Sequence, residues 1–233
     1  MSDSAAGLQI EPIIDTSIAD RLRAALPNDV DYASARVVDE RSEHLTVRQN
    51  TLEPIFNEFD TGVMISIWNG GGLGYAATAD LSDAGLRRAV DTARYWATVT
   101  AGSMVTATPP PDHTTGTYRS PVEIDWDTLP LGARLELLHQ QSRLLGIDKR
   151  IVDWSARLTR RNVDTLLVTR GRNGESGEIE QRFSFVYPGM RATANEGTNT
   201  QTRTFGANAF CGQGGAEVLG RFGFGDAANR VAN

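Results

Sequence analysis

Residues 62–97 read GVMISIWNGGGLGYAATADLSDAGLRRAVDTARYWA, and the parsing of this stretch decides the fold. Gly62 to Trp68 sets Val63, Ile65 and Ile67 against Met64, Ser66 and Trp68, a β-branched alternation that favours an extended, largely buried strand. Glycines at 70, 71, 72 and 74 give the backbone access to positive φ, so the chain reverses and re-enters as a second short strand, Leu73 to Thr78. Asp80 or Ser82 then caps a helix, and Leu86, Ala89, Val90, Ala93 and Ala97 fall on one helical face. The expected unit is strand, glycine turn, strand and a helix that covers one face of the sheet.

On the amino-terminal side, Met1 to Gln9 reads as a loose tail and Thr16 to Leu26 as a short helix that Pro27 ends. Two strands follow, Tyr32 to Val38 and His44 to Gln49, separated by a charged turn, DERSE, at residues 39–43. Leu52 to Phe59 is a third strand that Pro54 confines to an edge or a bulge. Short turns between sequential strands favour an antiparallel meander over a βαβ sheet.

On the carboxyl-terminal side, Thr106 to Pro121 holds Pro109, Pro110, Pro111 and Pro121 among threonines and reads as a loop or linker. A helix is expected from Leu129 to Leu145, with Leu131, Leu135, Leu138 and Leu145 on its stripe, Asp127 or Thr128 as cap and Gly146 as stop. Strands at Ile151–Arg161, Val163–Arg170, Glu178–Tyr187 and Asn199–Phe205, with turns at Asn162, Gly171–Gly177 and Pro188–Gly189, predict a second antiparallel sheet. After Asp226 the chain reads as the first turn of another helix, running to Asn233. The fold class is therefore α+β: mainly antiparallel sheets covered by two or three helices. The expected division is 1–105 as an amino-terminal α+β domain, 106–128 as the Pro/Thr-rich linker, and 129–233 as a helix plus strands that start a β-rich second domain.

A length of 233 residues, 40% hydrophobic and 22% charged, suits a globular chain with a sizeable core, and 23 glycines suit a turn-rich, strand-rich one. The net charge of −6 and the absence of a cationic cluster argue against direct nucleic-acid binding. Lys149 is the one lysine, so arginine carries nearly all the positive charge. The single cysteine, Cys211, excludes an internal disulfide and suits a reducing compartment; the amino terminus lacks a signal pattern, and no stretch reaches the roughly 18 apolar residues of a membrane span. A cytoplasmic location is expected.

NGGGLG lacks the lysine and hydroxyl of a phosphate loop, and the dinucleotide spacing fails at Tyr75, which favours a hairpin turn. GESGE at 174–178 has Glu178 where a nucleophile elbow needs glycine, so Ser176 reads as a turn residue. His44, His113 and His139 share no metal-binding spacing, and Cys211 has no neighbouring histidine. Asp39, Glu40 and Glu43 read as solvated turn charges, and Asp125 and Asp127, on either side of Trp126, as helix-cap charges. No catalytic, cofactor-binding or metal-ligating set emerges from the residues.

The order of motifs adds a resemblance. VVDERSEHLTVRQ at 37–49, GVMISIW at 62–68 and GLGYAATADLSDAGLRRAVDTA at 72–93 closely resemble the amino-terminal domain of the TldD/PmbA family, the gyrase-modulator zinc metallopeptidases. TLLVTRGRNGE at 165–175, GEIEQRFSFVYPGMRATANEG at 177–197 and CGQGGAEVL at 211–219 extend the likeness from about Tyr32 to Asn233. The family's peptidase halves carry zinc on an HExxxH helix plus a later cysteine, in a carboxyl-terminal domain. No such helix occurs in this chain and Cys211 comes too early, so no family zinc ligand maps onto it. The resemblance implies the amino-terminal part of a TldD-like peptidase, contributing substrate cavity and subunit interface but no catalytic residue. Zinc is implied only for a full-length peptidase, and the implied partners are an unfolded peptide and a homologous subunit in a homo- or heterodimer. The alternative it implies is a non-catalytic partner subunit or peptide-binding module of the PmbA kind.

Overall fold

The computed structural model describes residues 14, 16–105, 110–206 and 210–232. The expected tail Met1–Gln9, residues 106–109 of the Pro/Thr-rich stretch and Asn233 lie outside the described residues. The helices are α1 (Thr16–Ala25), α2 (Asp83–Thr100), α3 (Leu131–Leu145), α4 (Glu217–Arg221) and α5 (Ala227–Ala232). The strands are β1 (Tyr32–Arg48), β2 (Thr51–Leu52), β3 (Phe56–Asn69), β4 (Gly72–Thr78), β5 (Gly116–Arg119), β6 (Ile151–Gly171), β7 (Ser176–Glu196), β8 (Asn199–Phe205) and β9 (Gly212–Gln213). Among the described residues they form one mostly antiparallel sheet in the order β4-β3-β1-β6-β7-β5, with β2 on β1 and with β8 and β9 on β7. The α+β class holds, but the two expected sheets are one.

The chain divides into two compact units. The first comprises residues 1–39, 60–117 and 164–181. Here the opening stretch folds as its pattern dictates: β3 and β4 pair from Val63↔Thr78 to Asn69↔Gly72, around Gly70 and Gly71 at φ +57° and +79°. Positive φ at both loop positions is the geometry whose twist matches a two-residue hairpin. Ser82 caps α2 by accepting from the Gly85 amide, and Leu86, Ala89, Val90, Ala93 and Ala97 are buried with Gly85. Gly72 and Gly74 let this helix lie against the strand, because a Cβ on either would overlap backbone atoms of Ala93, Ala97 or Ala101. The core joins α1 and α2 to Ala33, Ala35, Val37, Val63, Ile65, Ile67, Leu166 and Val168.

The second unit comprises residues 40–59, 118–163 and 182–233. Its core gathers Leu45, Val47, Ala156, Leu158, Val186, Met190 and Ala192 from the strands, with Trp126, Leu138, Leu145, Phe224, Ala228 and Val231 from the helices and turns. Gly146 closes α3 as expected, but Leu131 is exposed and Leu135 only half-buried. The expected caps act elsewhere. Asp125 accepts from the Asp127 amide and Thr128 donates to the Asp125 carbonyl, both within the turn Trp126–Thr128, and Pro130 occupies the cap position without a side-chain bond.

Three expected turns are strand interior. DERSE lies within β1 because its carboxylates are partnered: Asp39 accepts from Thr61 Oγ1 at 2.8 Å, Glu40 takes two Arg161 nitrogens at 2.6 Å each, and Glu43 accepts from Arg134 and from Trp126 Nε1. Asn162 sits within β6 beside Arg160 and Arg161, which pair with Asp127 and Glu40. Pro188 and Gly189 lie within β7 where its partner changes: β9 pairs with Phe185 and Val186, and β8 begins at Met190. A proline at that gap removes no ladder bond. Pro54 does interrupt the chain, between β2 and β3, and Gly116–Arg119 within the expected loop form β5.

Candidate binding surface

In the second unit, strand alternation sorts side chains onto two faces. Leu45 and Val47 of β1, Ala156 and Leu158 of β6, and Val186 and Met190 of β7 point into the core. Their neighbours in sequence therefore share the opposite face: Glu40, Ser42 and His44; Arg157, Thr159 and Arg161; Phe183, Phe185 and Tyr187.

Two polar chains cross this face. Glu40 holds Arg161 in a forked pair, and Arg161 in turn hydrogen-bonds the Tyr187 hydroxyl, which also meets the Cys211 thiol. Burial, followed by the hydrogen bond and charge of Cys211, pushes the Tyr187 phenol above its ordinary value, while Glu40 raises the Arg161 guanidinium above its own. His44 contacts Thr159 Oγ1 at 3.2 Å through Nδ1 and Glu58 at 3.5 Å through Nε2. Beside these runs an aromatic ladder. Phe183 stacks on Phe185 at 5.9 Å, Phe185 meets Tyr187 at 6.3 Å, and Tyr118 approaches Phe183 at 5.3 Å while donating to Gln213 at 2.7 Å.

Half-buried rings beside fixed donors and acceptors can hold a chain with apolar and polar groups. A nucleophile needs a base within hydrogen-bond reach, and Cys211 has a tyrosine. FSFVYP carries the ladder openly as aromatics at i, i+2 and i+4, whereas the Glu40–Arg161 fork spans 121 positions and leaves no local trace.

The other constellations serve structure. The Gly70 amide donates to the Asp31 carboxylate at 2.7 Å, so the glycine run faces an anion already belonging to the chain. Ser176 is exposed at the start of β7. His113 meets Thr169 Oγ1 at 2.8 Å and leans on Tyr32 at 4.9 Å, while His139 lies half-buried on α3. Asp127 pairs with Arg160 at 2.9 Å. Among the described residues no three of His, Cys, Asp and Glu are placed to hold a metal ion, so the residues present do not fit a zinc centre. No described helix is long and apolar enough to cross a membrane.

Comparison with known proteins gives a partial family match and a likeness of fold. Residues 33–97 match the model of PmbA/TldA metallopeptidase domain 1. This stretch, 65 of the 233 residues, is similar to the first domain of that family. Solved structures share the fold of much more of the chain. A protein of Thermotoga maritima MSB8, named for modulation of a DNA gyrase, has TM-score 0.65 and 16% identity over 93% of this chain and 47% of its own. A protein of Bacteroides thetaiotaomicron VPI-5482 with the same kind of name has TM-score 0.55 and 17% identity over 81% and 43%. TldE from Thermococcus kodakarensis has TM-score 0.54 and 12% identity over 92% and 47%. At these identities the likeness is one of fold, and the chain spans about half the length of the structures it matches. No curated protein matches the sequence significantly.

Proposed function

We infer that the chain acts as the amino-terminal region of a TldD-like zinc metallopeptidase, shaping the substrate cavity and a subunit interface while supplying no catalytic residue. The observation that carries this reading is the TldD/PmbA first-domain match at residues 33–97 together with a fold shared over most of the chain. The polar and aromatic face of the second unit supports the cavity role. Its rings offer stacking area, and Glu40, Arg161 and His44 offer fixed partners for the backbone of an unfolded peptide. Zinc and the general base belong to another part of a longer family protein, in the cytoplasm, and a homologous subunit completes the cavity.

Reading the frame beyond residue 233 tests the parentage, with an HExxxH helix as the expected finding; a frame without one removes the peptidase reading. A protein carrying both parts should hydrolyse unfolded peptide, and Phe185→Ala should raise KM several-fold with kcat nearly unchanged, as loss of uniform binding requires. A fall in kcat alone would place the ladder in the chemistry and defeat the assignment.

A further inference from the structure

In the first unit the segment from Pro110 to Thr115, outside any helix or strand, is laid along the hairpin of β6 and β7. Of residues 110–115 only His113 is not exposed. Its Nδ1 meets Thr169 Oγ1 at 2.8 Å, and its ring lies 4.9 Å from that of Tyr32. Two glycines of the hairpin make room for the segment. A Cβ on Gly177 would overlap the backbone of Thr114, and one on Gly171 would come 2.9 Å from His113 Nε2 and 2.6 Å from Glu175 Oε2. The Glu178 amide adds a bond of 3.3 Å to Thr115 Oγ1.

The slot that receives the ring accommodates an extra proton. Thr169 bonds Nδ1 in either state: its hydroxyl donates to a bare nitrogen, or accepts from a protonated one and turns its hydrogen to the Gly177 carbonyl, 3.4 Å away. Nε2 looks across the bare Cα of Gly171 towards the Glu175 carboxylate. Protonation therefore costs no hydrogen bond and sets a positive charge opposite a negative one. The amide of Glu175 and the side chain of Asn173 hold that carboxyl below its ordinary 4.5, so it is an anion wherever an imidazole titrates. The other titratable group against the ring is the Tyr32 phenol, which burial pushes above its ordinary value and keeps neutral. Neighbouring charges are engaged elsewhere: Asp31 with Arg172, Glu178 with Arg23, and Arg170 with the carbonyls of Arg23 and Leu26. Asp112, beside His113 in the segment, is exposed.

We propose that residues 110–115 form a pH-governed strap, which protonation of His113 locks onto the β6–β7 hairpin through Glu175 and loss of the proton loosens. The docked ring, facing an anion, binds its proton more tightly than the released one. The added hold on the strap is thus complete below the titration of the released ring and is lost as pH rises through that of the docked ring, a window around the ordinary imidazole value of about 6.5. Release uncovers the Tyr32 ring and the Thr169 hydroxyl, both buried while the strap is docked. The proposal concerns the first unit alone and stands whether or not the aromatic face of the second binds peptide.

Two measurements on the full chain test it. The His113 Cε1 proton, assigned by its loss in His113→Gln and followed by NMR between about pH 5 and 8, reads the proton affinity of the ring. Glu175→Gln should weaken that affinity roughly two- to fourfold, as expected for a solvent-exposed ion pair. Gly171→Ala, whose methyl group would stand between Nε2 and the carboxylate, should weaken it without removing a charge. Amide hydrogen exchange of residues 112–115, normalised to the intrinsic rate at each pH, reads the strap itself. Protection should be roughly two- to fourfold greater near pH 5.5 than near pH 7.5, and the difference should vanish in His113→Gln. An unchanged proton affinity in Glu175→Gln, or equal protection at the two pH values, overturns the proposal. Greater protection at the higher pH overturns it too, by showing that the charged ring leaves its slot.

Discussion

A Cβ at Gly74 would meet the Ala93 carbonyl and the Ala97 amide, atoms fixed by the hydrogen bonds of α2 itself. Gly74→Ala must therefore push the helix off the strand, and a cost of about 3 kcal/mol, the upper end for overpacking, is expected in chemical denaturation. Gly70→Ala meets open space and bears only its positive φ, so about 1 kcal/mol is expected there. Equal losses at the two sites would show that the close approach of α2 is not what Gly74 serves. Glu217 carries a second residue-scale consequence. Burial alone would raise its carboxyl, but amide donors at Gly215, 2.8 Å away, and Ile124, 3.0 Å away, outweigh burial and hold it below its ordinary 4.5. A carboxyl depressed in the folded state contributes stability that is complete above the unfolded value and is lost as pH falls through the folded one. Urea midpoints should thus decline below about pH 4.5, and Glu217→Gln should flatten that decline; an unchanged slope would assign the acid sensitivity to other groups.

At the scale of elements, the opening hairpin and α2 were legible because their determinants are local: alternation, positive-φ glycines and a cap three residues from its target. The interior of β1 was not. Asp39, Glu40 and Glu43 look like turn charges until their partners Thr61, Arg161 and Arg134 are known, and those lie 22, 121 and 91 positions away. Likewise nothing local marks Asn162 as the interior of β6, or shows that β9 hands over to β8 beside Pro188. The Glu43 cluster measures how firmly one element depends on such contacts. Arg134 is buried on α3, stacked 5.3 Å from the Trp126 ring, and both donate to Glu43. Glu43→Ala would strand a buried cation and an indole N–H, for an expected loss of about 3–5 kcal/mol. Replacing both Glu43 and Arg134 by methionine should recover most of it, because an apolar pair leaves no charge unmet. A double variant as unstable as the single one would show that the packing of β1, and not the stranded charge, sets the cost.

For the molecule as a whole, the α+β class follows from the spacing of apolar residues, but the single sheet does not, since β1 and β6 read as broken at polar residues and β7 at Pro188–Gly189. The candidate surface was half legible: FSFVYP announces its rings, while the polar chains beside them exist only once β1, β6 and β7 are aligned. The same alignment bears on metal. A zinc site needs three or four nitrogen, sulfur or oxygen ligands converging at about 2.0–2.3 Å. Here His44 meets Thr159 through Nδ1, His113 meets Thr169 and leans on Tyr32, and Cys211 meets Tyr187. Among the described residues none of them has two further His, Cys, Asp or Glu side chains placed to complete a ligand set. The purified chain, dialysed against micromolar zinc, should retain far less than one equivalent by elemental analysis, and its melting temperature should not move when zinc is added. One equivalent of zinc, lost together with the stabilisation in His44→Ala or His113→Ala, would locate a metal centre within these residues and would move the chain from supporting region to catalytic one.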